Sequence, residues 1–133
     1  MAEEIAKFRF SNYQILKSSI AISDISTIDE DIEIEITHTS GVNDEYNKFK
    51  LTLDLNISDK SGSLSINVVT DGFFEFDNDL SETDKNSFFN VNTPAILFPY
   101  IRAYVTALTA LSGIPPVVMP TINLSAREVN VYQ

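Results

Sequence analysis

Three stretches of this chain alternate apolar and polar residues with a period of two, and that alternation restricts the fold more than any other feature. In "DIEIEIT", Ile32, Ile34 and Ile36 fall on one side and Asp31, Glu33 and Glu35 on the other. "KFKLTLDLNIS" sets Phe49, Leu51, Leu53, Leu55 and Ile57 against Lys50, Thr52, Asp54 and Asn56. "SLSINVVTDGFFEF" follows after "SDKSG", a hairpin-loop composition. Strands of this kind bury one face and wet the other, as in antiparallel sheets. "KFRFSNYQILKSSIAIS" supplies one further long or bulged strand near the start. "HTSGVNDEYN", which carries the single histidine, His38, reads as a polar connection. The links are too short for parallel crossovers, so four antiparallel strands are expected.

The second half changes period. Ser81, with Asp84 three residues on, marks the start of a short helix. Thr93 followed by Pro94 marks the start of a longer one. Leu97, Ile101, Tyr104, Leu108 and Leu111 form an apolar stripe along it, and Gly113 supplies a left-handed stop. Pro99 either kinks this helix or re-initiates it. "IPPVVMP" is extended, because Pro115, Pro116 and Pro120 exclude helix and ladder donors. Ser125 begins a short last helix through "AREVNVYQ". Residues 1–133 thus read as one α+β domain, a four-stranded antiparallel sheet followed by a long helix and a short C-terminal helix. Beyond the stripe, Phe98, Ala103, Val105, Ala107 and Ala110 leave only Arg102, Thr106 and Thr109 as polar points on the later turns. A helix apolar nearly all round needs cover on two sides, and one sheet covers one. A second copy of the chain is the economical cover.

Nineteen acidic residues face nine basic ones, a formal net charge of −10. That field repels phosphate backbones and favours basic or unfolded polypeptide partners over nucleic acid. There is no cysteine, so disulfides and thiolate metal sites are excluded. The start, "MAEEIAKFRF", lacks a basic region followed by an apolar one, and no uninterrupted apolar run reaches membrane-spanning length. A cytoplasmic location without membrane insertion is therefore expected. The acidic run "DEDIEIE" alternates across a strand instead of converging, so it makes no calcium loop. No glycine-rich phosphate loop, metal-ligand cluster or partnered nucleophile is present, and neither catalysis nor a cofactor is expected. What remains is apolar surface. Phe73, Phe74 and Phe76 crowd one strand end, where a period of two cannot bury all three. With Ile114, Val117, Val118 and Met119 of the proline-rich loop, they are candidates to line a groove for extended apolar peptide.

The segments "ILFPYIRAYV", "LSGIPPVVMP" and "TINLSA", in that order, resemble the SecB family of protein-export chaperones, and "VVTDGFFEF" is similar to that family's strand-end turn. The resemblance implies a subunit of the architecture just described, assembled as a dimer of dimers, a homotetramer. It implies an ATP-independent holdase that binds unfolded polypeptides, here preproteins for Sec-dependent export, and passes them to the SecA motor. By alignment with the family, Ile66, Val68 and Thr70 match strand positions of its subunit contact. Leu97, Ile101, Tyr104 and Leu108 belong to the helix layer, as core or interface. Two departures weaken the SecA coupling: the link "ISDISTIDED" is short, and Ala21, Ile25 and Asn67 stand near positions where the family carries acidic residues. The sequence also stops at Gln133 without the family's long tail. Some SecB-like proteins instead protect an unstable antitoxin, which makes a dedicated single-partner chaperone or adaptor the alternative.

Overall fold

The computed structural model describes residues 7–120. Four antiparallel strands, β1 (Phe8–Ile22), β2 (Ile32–Asn43), β3 (Lys48–Asp59) and β4 (Leu64–Phe76), form one sheet in the order β1-β4-β3-β2. β2, β3 and β4 are a meander. β1 lies on the far side of β4, so the link from β1 to β2 must cross the sheet end. Helix α1 (Glu82–Ser87), a π-type turn (Phe88–Asn92) and helix α2 (Thr93–Leu111) follow as one continuous helical segment. The short C-terminal helix expected from Ser125 lies outside the described residues.

Alternation predicts the buried face closely. Phe49, Leu51, Leu53, Leu55 and Ile57 of β3 are each at most 2% exposed, as are Leu64, Ile66, Val68, Thr70, Phe74 and Phe76 of β4. Burying each large apolar side chain stabilises the fold by about 1.5–3 kcal/mol. Gly72 interrupts this row for a packing reason: a Cβ there would lie 2.9 Å from Leu97 Cδ2. The missing side chain lets α2 settle onto the sheet. β1 carries two bulges, at the register shifts between Phe10 and Asn12 and between Ile15 and Lys17.

Four expectations are corrected. His38 is not in a loop: β2 continues through it, opposite Leu53, and pairs with β3 up to Asn43 and Lys48. It is half-buried on the inner face, and burial lowers its pKa. Cross-strand pairing has overridden the turn-forming composition of "HTSG". Only Asp44–Asn47 remains as a turn, with Asn47 at φ 55° and the Tyr46 amide donating to Asn43 Oδ1.

Thr93, second, is not a helix cap. Its N–H reaches back to the Phe88 carbonyl, and its hydroxyl donates to the Phe89 carbonyl at 2.8 Å. That carbonyl is the one the next residue, Pro94, lacks an N–H to satisfy in this widened register, so Thr93 and the π turn carry the helix past the proline. Ser81, by contrast, does cap α1, accepting from the Asp84 amide at 3.1 Å. Pro99 neither stops nor restarts α2.

Third, the buried stripe steps by four throughout, Leu97, Ile101, Val105, Thr109, while Leu111 is 88% exposed. Fourth, the segment Glu82–Leu111 is long and apolar enough by composition to cross a membrane. It lies instead on the sheet as the core helix, with Phe88, Leu97, Phe98, Ile101 and Val105 buried.

Candidate functional site

At the sheet end where β1 hands over to β2, the crossing link is fixed by polar contacts. Asp24 caps a single 3₁₀ turn, Ile25–Thr27, by accepting from the Ser26 amide at 3.0 Å. The Ser23 amide donates to the Ser63 carbonyl and the Lys60 amide to the Asp31 carbonyl, each at 2.9 Å. Ser61 Oγ lies 2.7 Å from the Thr27 carbonyl, and the Thr27 and Ser63 hydroxyls are bonded to each other. Asp59 is the hub. It is 3% exposed and accepts from the Ser61 hydroxyl at 2.6 Å and from the Asp29 and Leu64 amides at 2.8 Å. The Ser61 bond first, then the two amides, hold its carboxyl far below the ordinary carboxylate range, outweighing the burial that pushes it up.

The proline-rich loop reaches the same end from the other side. Gly113, at φ 86°, turns the chain out of α2. Ile114 and Met119, 5% and 1% exposed, anchor the loop in the core, while Pro115, Pro116 and Val118 face outward. Between the anchors, the Val117 amide donates to Thr109 Oγ1 at 2.8 Å, and Thr106 Oγ1 lies 3.1 Å from the Val117 carbonyl.

Between link and loop runs an apolar groove of about 450 Å³. Ile25, Ile28 and Ile32 line it from the link side, Leu64 from the sheet, and Ile114, Pro115, Pro116, Val117 and Val118 from the loop. Asp29 and Glu30 add the only charged side chains among its lining residues. Ile25 and Val118 are 63% and 69% exposed, unusual for β-branched side chains. The arrangement offers apolar surface with an acidic rim, and among the described residues no group of side chains could hold a metal ion.

Of the candidate client contacts, the structure brings together Ile114, Val117 and Val118. Met119 is instead a core anchor. The three phenylalanines sit at the opposite end of β4, about 30 Å away at the strand rise of ~3.3 Å per residue. Phe74 and Phe76 are 1% and 2% exposed, within an aromatic cluster that includes a stacked Phe49–Phe89 pair at 4.1 Å. Phe73 faces the outer side, half-buried, beside a smaller hollow shared with Lys50 and Val42.

Of the interface candidates, Ile66, Val68, Thr70, Leu97 and Ile101 are all 0–1% exposed and packed between sheet and helix within one subunit. Tyr104 and Leu108 are half-buried along the flank of α2. The link isoleucines Ile25 and Ile28 join the candidate client contacts only through the structure. Their signal was present: Ile22, Ile25 and Ile28 recur every third residue in an otherwise polar link.

With this geometry in hand, the comparisons converge. The family model described as preprotein translocase subunit SecB matches residues 19–128. The protein-export protein SecB of Orientia tsutsugamushi strain Boryong is 30% identical over 127 residues, covering 93% of this chain and 76% of that one. An uncharacterized protein of Methanocaldococcus jannaschii is 28% identical over 132 residues, covering 94% and 84%. Among solved structures, a SecB-like chaperone from Mycobacterium tuberculosis, in complex with a ChAD peptide from the HigA1 antitoxin, shares the fold. Its TM-score is 0.72 at 15% identity, over 87% of this chain and 88% of that one. A four-stranded sheet in this order, a long helix carrying "ILFPYIR", and a family match over most of the length agree: the chain belongs to the SecB family.

Proposed function

We propose that this protein is an ATP-independent holdase that takes unfolded polypeptide into the groove between the crossing link and the proline-rich loop, and that its site in the cell is the cytoplasm. The observation that carries this is the groove itself, with the exposed Ile25 and Val118 on its two walls. Extended peptide gains about 25 cal/mol for each Å² of apolar surface it buries there. Asp29 and Glu30, with a net charge of −10 behind them, favour segments that carry basic residues and speed their encounter. The peptide bound to the structurally similar mycobacterial chaperone supports polypeptide as the occupant. Family membership supports a non-enzymatic role.

The holdase is tested by light scattering. The protein should suppress, in a dose-dependent way that saturates near stoichiometric amounts, the aggregation of several unrelated denatured proteins without nucleotide. Replacing Val118 and Ile25 by Ser, both exposed, should weaken suppression without loss of folding. Protection of a single partner, with the others left to aggregate, would mark the dedicated chaperone or adaptor instead, such as one guarding an antitoxin. Transfer to SecA is the finer export role, and a binding titration against SecA checks it.

A further inference from the structure

The groove has one wall that should not hold its shape unaided. "IPPVVMP" contains three prolines, which donate no backbone hydrogen bond, and among the described residues it pairs with no strand. Val117 lies in the middle of this stretch, and its amide is taken up by α2, while its carbonyl shares the one Thr106 hydroxyl proton with the Arg102 carbonyl. Its amide donates to Thr109 Oγ1 at 2.8 Å, and its carbonyl lies 3.1 Å from Thr106 Oγ1. Thr109 is 0% exposed, and its hydroxyl in turn lies 2.9 Å from the Val105 carbonyl. That contact directs the hydroxyl proton into the helix and leaves the oxygen free to accept from Val117. With Val117 fixed and Met119 buried, the extended backbone turns Val118 outward.

We infer that Thr109, seconded by Thr106, is the positioning residue of the groove: a hydroxyl clamp that shapes the prolyl wall before any client arrives. This deepens the holdase proposal and rests on it. Without the clamp, client binding must order the loop, and the cost appears as lost affinity.

Thr109→Val keeps the volume and the helix but removes the acceptor. Thr109→Ser keeps the acceptor. The probe is a short fluorescein-labelled peptide rich in leucine, phenylalanine and lysine, followed by anisotropy, and amide exchange at Val117 is read by NMR in the same samples. Thr109→Val should weaken the probe about tenfold and speed Val117 exchange at least tenfold, with the melting temperature nearly unchanged. Thr109→Ser should restore both. Wild-type affinity and wild-type Val117 protection in Thr109→Val would overturn the clamp. So would equal loss in the valine and serine variants, the mark of a merely structural role. If the wild-type protein does not bind the probe at all, the holdase proposal falls. The Val117 amide then decides the clamp alone: faster exchange in Thr109→Val but not in Thr109→Ser supports it, and unchanged exchange overturns it.

Discussion

Single side chains carry two readily tested consequences of this fold. Thr70 is 0% exposed on the inner face of β4, and among the described residues its hydroxyl has no hydrogen-bond partner. A buried hydroxyl without a partner is a liability that an apolar group of similar shape removes. Thr70→Val should therefore raise stability by about 1 kcal/mol in urea denaturation, where most core changes lower it. Asp59 works in the opposite sense. Its carboxyl is held well below its unfolded value near 4, so the anion stabilises the folded state above that value and the contribution fades as pH falls toward the folded one. Asp59→Asn should lower the melting temperature at pH 7, and the gap to wild type should narrow steadily below about pH 4. Neither role was legible in the sequence. Alternation gives the side of the sheet on which Thr70 falls, but a hydroxyl's partners depend on what the fold brings near. The same holds for Thr109, which reads as a polar point on a helix and is fully buried. A threonine bonded to its own helix has nothing polar left to show water.

Elements were legible where periodicity was long. β3 and β4 were read almost residue for residue, because a half-buried strand has to write its burial into every second position. Failures came where local composition and tertiary pairing disagree. "HTSG" is turn-like, yet the Lys48–Leu53 ladder draws it into β2. Thr93–Pro94 has a helix-start composition, yet α1 already runs into it. That second case yields a prediction for the whole helical segment. Thr93→Val leaves the Phe89 carbonyl without the donor that replaces the missing Pro94 N–H, and it should cost about 1–2 kcal/mol. Thr93→Ser should cost much less, and chemical denaturation monitored by helical circular dichroism distinguishes the two. The groove was half legible for the same reason. The loop wall announced itself by proline and valine, whereas the link isoleucines, though regularly spaced, become a wall only through the strand order that carries them across the sheet end.

For the molecule as a whole, part of the apolar surface left uncovered outside the groove lies along one flank. Tyr13, Leu16, Tyr100 and Leu111 are 36%, 55%, 41% and 88% exposed, on β1 and on α2, with the Tyr13 and Tyr100 rings 4.6 Å apart. Half-buried Tyr104 and Leu108 continue this flank. We propose that copies of the chain associate here, as dimers and then as a tetramer. Sedimentation should then give a multiple of 14.9 kDa, and Tyr100→Glu with Leu111→Glu should return the single folded subunit. A wild-type protein that sediments as one subunit at micromolar concentration would refute the assembly. The strand order has another effect, one that belongs to synthesis. Among the described residues β1's sole neighbour in the sheet is β4, with Phe8 opposite Phe76, so β1 has no mate during synthesis until β2, β3 and β4 have followed it. Through that interval it is an unpaired, alternately greasy segment. A nascent copy is itself the kind of substrate that its finished siblings are proposed to hold.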